Sequence, residues 1–375
     1  MIFLAPGLLL ASSRSEAAFP GANGKIAFST NRDGNLEIYA LNPDGTGLNR
    51  LTFDPAADSN PAFSANGEQI AFQTNRDGNL EIYVMNAGGQ NVTRVTVNPA
   101  IDSTPAWSPD GTRIAFTSNR TGDFEVWVIN ADGTGAQQLT FNPASDGEPV
   151  WSPDGTRIAF RSSRDGNAEI YVMNADGSGV TNLSNNAAAE FFPDWSPDNA
   201  KIAFQSGRTG DFEVFVMNAD GTGQTNVTNF PGASDVTPAW SPDGTKIAFA
   251  SGRDGNTEVY TMNADGTGQT NITNFAVAVD GQPDWQPEVS VLALLTSLID
   301  FIESAVPQPG VATSLVSKVE AAMDSLSRSN IGAACNQLGA FGNQVEAQSG
   351  KALAVEDASQ LLADVQNVES RIDCP

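Results

Sequence analysis

The chain has 375 residues, 40% of them hydrophobic, a formal net charge of −25 and no histidine. A field of that sign repels nucleic-acid phosphates and anionic membrane surfaces, so nucleic-acid binding is excluded from the expected functions. The missing histidine removes Ser-His-Asp and Cys-His nucleophilic catalysis and the commonest transition-metal ligand.

The first element is the apolar run Ile2–Ala11, followed by Ser15, Glu16, Ala17 and Ala18. It reads as the core and small-residue cleavage region of a secretory signal, so residues 1–17 are expected to be a signal peptide and the mature chain secreted or periplasmic. No basic leader precedes it, which places the expected translation start upstream. The run is too short, and too broken by Pro6 and Gly7, for a membrane span, and no membrane contact is expected beyond it.

From Phe19 onward an aromatic residue recurs about every 44 residues, at Phe63, Trp107, Trp151, Trp195, Trp240 and Trp285, a period that fits four-stranded propeller blades. Each interval repeats one text, as in Pro105-Ala-Trp-Ser-Pro-Asp-Gly111, then Ile114-Ala-Phe116, Glu125-Val-Trp127, Asn130-Ala-Asp-Gly133 and Leu139-Thr140. The Ser-Pro-Asp-Gly and Asn-Ala-Asp-Gly tetrads can turn the chain between short apolar strands. Repeats starting near residues 19, 61, 105, 149, 193 and 238 predict an all-β six-bladed propeller over residues 18–288. Too little chain precedes the first turn for an inner strand, while Pro283-Asp-Trp285 is an extra copy, so residues 283–287 are expected to supply the inner strand of the first blade and close the ring.

The run from Trp151-Ser-Pro-Asp-Gly-Thr-Arg-Ile-Ala-Phe160 to Asp165-Gly-Asn-Ala-Glu-Ile-Tyr-Val-Met-Asn-Ala-Asp-Gly177 resembles the WD40-like (PD40) repeat of TolB-type β-propellers, over about six copies. The resemblance implies the fold; the functions of such propellers are diverse. TolB itself carries an α/β domain ahead of its propeller that has no counterpart here, which puts its envelope role in doubt for this chain. Related propellers also precede α/β-hydrolase domains in prolyl-oligopeptidase-like peptidases, but no Gly-x-Ser-x-Gly elbow follows here. Histidine-based polysaccharide lyases with related propellers are excluded by composition.

After the text Gln286-Pro-Glu288, expected to be a linker, the spacing turns helical, predicting a small all-α bundle of about four helices over residues 289–375. Leu292, Leu295, Ile299 and Ile302 share one face, as do Leu315, Val319, Met323 and Leu326, then Leu338, Phe341 and Val345, then Leu361, Leu362, Val365 and Val368. Pro307-Gln-Pro-Gly310 marks a break within it. Cys335 and Cys374 are the two cysteines; in an exported chain one disulfide is the simplest expectation, and free thiols are the alternative. The segment from Ser325 to Phe341 and on through Val345-Glu-Ala-Gln-Ser-Gly-Lys351 resembles the FIMAH-type helical module of secreted bacterial proteins, which implies an accessory or interaction role.

Three residues before each repeat proline stands a carboxylate: Asp58, Asp102, Asp146, Glu190, Asp235 and Asp280. The loops between second and third strands repeat an arginine: Arg32, Arg76, Arg120, Arg164, Arg208 and Arg253. Both sets are expected around one mouth of the axial channel. Either each arginine pairs with an acid and locks the blades, or the acidic ring stays partly unpaired and attracts a basic peptide or a cation, with calcium the candidate. No catalytic residue and no other cofactor is expected. The expected function is an exported, monomeric, non-enzymatic scaffold for a protein or peptide. The alternatives are a glycan-active enzyme using channel-mouth carboxylates, with Glu190 the one departure in the ring, or a structural spacer or display protein.

Overall fold

Alternating residues such as those of Arg157–Ser162 and Glu169–Asn174 form antiparallel neighbours, in register from Arg157 opposite Asn174 to Ser162 opposite Glu169. Between paired strands the tetrads turn the chain. In Ser152-Pro-Asp-Gly155 the glycine adopts φ 68°, and Asp154 Oδ1 accepts the Thr156 amide and hydroxyl. The computed structural model describes residues 21–288, 291–372 and 374, so the apolar start and Phe19 fall outside the described residues.

The chain divides into two units, Met1–Glu288 and Val289–Pro375. The first contains six four-stranded sheets, the blades of a propeller. The inner strands of blades 2 to 6 are Asp58–Phe63, Asp102–Trp107, Asp146–Trp151, Glu190–Trp195 and Asp235–Trp240. In blade 1 the inner strand is the late segment Asp280–Glu288, which lies antiparallel to Ala22–Thr30. Gln286–Glu288, read as a linker above, is instead the end of this strand: Pro287 and Glu288 face Asn23 and Ala22. At the turn of blade 2, Gly67 has φ 68°, and a Cβ there would sit 2.2 Å from the Pro287 carbonyl oxygen, so the closing strand presses on its neighbour's backbone.

The core lies between blades. Trp151, Phe160 and Tyr171 of blade 4 pack on Ala115, Val126 and Leu139 of blade 3. At the seam, Trp285, Ile26 and Phe28 of blade 1 pack on Ala239, Val259 and Ile272 of blade 6. Each such aromatic removes on the order of 150–250 Å² from water, which makes the stacking of repeats the main source of stability.

The second unit has four helices, α1 (Val291–Ala305), α2 (Pro309–Ser327), α3 (Ile331–Gln348) and α4 (Val355–Arg371). Pro309 opens α2, where its missing N–H costs nothing. The Asn330 side chain caps α3 by accepting the Ala333 amide. Leu295, Leu298, Ile302, Leu315, Leu338, Phe341 and Leu361 are buried together, and Leu292, expected on the buried face, is exposed. A disulfide joins Cys335 of α3 to Cys374. Among the described residues no helix is long and apolar enough to cross a membrane.

Candidate functional site

The six ring carboxylates each begin an inner strand and are wholly buried. Arg76 Nη2 binds both oxygens of Asp58 at 3.0 Å, Arg120 binds Asp102 at 2.6 Å, and Arg164 binds Asp146 at 2.7 Å. Arg253 binds Asp235 at 2.7 Å, Arg32 binds Asp280 at 2.8 Å, and Arg208 pairs with Glu190. Each arginine also donates Nε to a threonine or serine hydroxyl of the second strand, as Arg120 does to Ser118 at 2.9 Å. Each pair thus lies within one blade, between its inner strand and its second loop. Burial pushes the Asp58, Asp102 and Asp146 carboxyls up, opposed by the neighbouring hydroxyls and arginines. Among the described residues no group of three or more His, Cys, Asp or Glu side chains converges as a metal site.

The loops on this rim are tied together. Asn35 Nδ2 donates to the Asp54 and Ala56 carbonyls at 2.9 and 2.7 Å, and Asn79 makes the matching bonds to Asn98 and Ala100. In blades 1, 2, 4 and 6 an asparagine of the loop between second and third strands therefore braces the loop that runs from the outer strand to the next blade. Those connecting loops expose Phe53, Val97 and Phe141, with 71%, 78% and 78% of their surface free, on three consecutive blades. Asn185, Asn229 and Asn274 take the place in blades 4 to 6; Phe230 and Phe275, one residue later, lie against the guanidinium groups of Arg253 and Arg32 at 4.4 and 5.0 Å, and Phe53 lies against that of Arg50 at 4.7 Å.

The axial lumen has a different lining. Each inner strand shifts register just before its proline, and the residue there has positive φ: Asn60 51°, Thr104 49°, Glu148 55°, Phe192 50°, Thr237 49° and Gln282 55°. Proline cannot donate to the ladder, so the strand bulges and turns these side chains toward the axis. The freed amides bond to the preceding blade. Thr104 N donates to Gln73 Oε1 at 3.0 Å, Glu148 N to Thr117 Oγ1 at 2.9 Å, Phe192 N to Glu148 Oε2 at 2.8 Å, and Thr237 N to Gln205 Oε1 at 3.1 Å.

All six blades line a cavity of about 150 Å³. It contains three carboxylates that sequence reasoning passed over. Glu148 is paired with Arg161 at 3.2 Å. Asp194 accepts the Trp240 amide and Asp284 the Phe63 amide, each at 2.6 Å. Burial raises the Asp194 carboxyl well above its usual range, reinforced by the like charge of Asp284, and burial pushes Asp284 up to about 7. Both side chains border the lumen and keep some accessible surface, yet channel walls enclose them, so desolvation governs their proton affinity. The signal that could have found them is variation inside the repeat: the residue after each repeat proline is Ala62, Ala106, Val150, Asp194, Ala239 and Asp284.

The family model described as the TolB beta propeller domain matches residues 12–101, 55–148 and 142–228, together more than half of the chain. TolB from Acinetobacter baumannii is similar in structure, with a TM-score of 0.62 at 21% identity, covering 71% of this chain and 67% of that one. A chain of the nidogen/laminin complex has a TM-score of 0.59 at 12% identity, covering 71% of this chain and 99% of that one. Hydrazine synthase from Kuenenia stuttgartiensis has a TM-score of 0.61 at 15% identity, over 73% of this chain and 48% of that one. At these identities the likeness is one of fold. No curated protein matches the chain.

Proposed function

This chain belongs to the PD40 family of TolB β-propeller domains, and from that premise we propose that it is an exported, non-enzymatic scaffold whose braced loop face binds a protein or peptide. The observation that carries the reading is the arc of Phe53, Val97 and Phe141, three apolar side chains left open on consecutive blades. Exposed apolar groups repeated along a rigid face suit an interaction surface. The net charge of −25 favours a basic rim on the partner. The ring pairs hold the face in shape beneath that surface, and their burial gives no support to a glycan-cleaving carboxylate pair or a calcium ion at the ring.

Export is supported by the apolar start and by the Cys335–Cys374 disulfide, a bond that persists in oxidising compartments. In this reading the helical unit, with its likeness to FIMAH modules, offers a second contact. The test is affinity capture from secreted and envelope fractions with the immobilised full chain and with the Phe53→Ser/Val97→Ser/Phe141→Ser variant. A partner held by the wild type and lost by a variant with an unchanged melt supports the reading. Equal retention by both, or none by either, counts against it.

A further inference from the structure

Two blades hold a carboxamide between themselves and the blade before, and a third leaves the same place open. In blade 5 the Gln224 side-chain oxygen accepts Arg208 Nη1 at 2.8 Å, and its nitrogen donates to the carbonyls of Leu183 at 3.3 Å, Ser184 at 3.0 Å and Gly221 at 2.9 Å. Gln269 of blade 6 repeats the arrangement with Arg253 and the carbonyls of Val227, Thr228 and Gly266. Blade 4 has Val180 at that position, in Gly177-Ser-Gly-Val-Thr-Asn182 where blade 5 reads Gly221-Thr-Gly-Gln-Thr-Asn226. The surroundings match. Arg164 takes the pose of Arg253, each with Nε on a serine at 2.8 Å and Nη2 on its ring aspartate at 2.7 Å. Among the described residues, however, Arg164 Nη1 has no hydrogen-bond partner, and it is open to solvent. A Cβ on Gly177 would lie 2.7 Å from the Leu139 carbonyl oxygen, as one on Gly221 would lie 2.5 Å from that of Leu183, so the backbones approach alike. Leu139, Thr140, Gly177 and Arg164 line an open groove there, walled by Phe141 and Val180. The Thr140 carbonyl accepts Gln138 Nε2 at 2.7 Å, which leaves its second lone pair.

We infer that this groove between blades 3 and 4 binds a primary carboxamide, the side chain of a glutamine on a protein partner, in the place that Gln224 and Gln269 fill within their own blades. A carboxamide brings one acceptor for Arg164 Nη1 and two N–H donors for the facing carbonyls. A carboxylate would satisfy the arginine but set its second oxygen against those carbonyls, and an ammonium would face a guanidinium. The methylenes of a glutamine have apolar walls to lie along in Phe141 and Val180. Phe141 also belongs to the apolar arc of the loop face, so the assignment of the amide to a partner rests on that reading; the groove itself does not.

The test is NMR titration of the full chain, isotope-labelled at the arginine nitrogens, with N-acetylglutamine N′-methylamide. The blocked glutamate and methionine compounds serve as its charged and apolar counterparts. The Arg164 Nε–H signal, identified by its loss in Arg164→Lys, should shift saturably with the glutamine compound in the millimolar range. The two counterparts should bind more weakly by about tenfold or more. Val180→Gln should abolish the shift by filling the groove from within, and should melt no lower than wild type because it remakes the contacts of blades 5 and 6. Val180→Ala should keep the shift. Binding of the glutamine compound together with failed capture at the loop face would leave the groove standing and overturn only its assignment to a partner there. No saturable shift, equal binding of the glutamate compound, an undiminished shift in Val180→Gln, or a clear fall in that variant's melting temperature overturns the inference.

Discussion

Asp284 holds its proton to about pH 7 because the lumen desolvates it, although the Phe63 and Trp285 amides pull the other way. The folded protein therefore binds a proton that the unfolded chain has released above its ordinary pKa of about 3.9, and stability falls as pH rises from about 4 to about 7. An asparagine can still accept the Phe63 amide and carries no charge. Asp284→Asn should thus be more stable than wild type by on the order of 1–3 kcal/mol at pH 8, the difference shrinking toward zero near pH 4; parallel melts across that range would contradict it. The ring acids differ from it in that each has a guanidinium partner. Asp102→Asn leaves Arg120, itself largely buried, without its counter-charge, and should cost about 3 kcal/mol in denaturant unfolding; a loss below about 0.5 kcal/mol would show that the pair contributes nothing net. The positions of both carboxylate sets were readable as text. Burial was not, and Glu190, the conspicuous departure in the ring, is one more paired acid, while the departures at Asp194 and Asp284 sit one residue beyond the prolines.

The strands and turns follow from local chemistry, and so do the helices. Ser-Pro-Asp-Gly fixes a hairpin wherever it occurs, and apolar residues at helical spacing fix the buried faces of α2 to α4. The outcome at Leu292 differs because only packing decides which apolar residue of the first turn is covered, and Val291 and Leu294 pack against the core instead. The closing strand depends on its partner. Asp280–Glu288 supplies wholly buried Trp285 and the acid that binds Arg32, and it covers the edge of Ala22–Thr30. A chain ending before Asp280 should lose cooperative unfolding of the propeller, because blade 1 would present an open edge and blade 6 would lose its packing neighbour. A calorimetric transition of unchanged sharpness would speak against that account.

At the scale of the molecule, the hydrophobic clusters of the propeller each draw on two adjacent blades, while the helical core draws on residues from Val291 onward. Two thermal transitions are expected. Reduction of Cys335–Cys374, whose closure spans 39 residues, should lower only the helical one, by about 2–4 kcal/mol; a single merged transition, or a shift of both, would contradict independent cores. The amino-acid sequence determined the number of blades, because each repeat is a unit that cannot bury its aromatic alone and must stack on a like neighbour. It likewise determined the change from β to helical structure near residue 289. Only the tertiary structure decided which side chains reach the axis. The bulge before each proline resets the two-residue alternation, so a periodic reading cannot follow the chain through it. The contacts that then define the lumen and the seam, Asp284 with Phe63 and Asp280 with Arg32, join residues more than 200 positions apart, which no local pattern encodes.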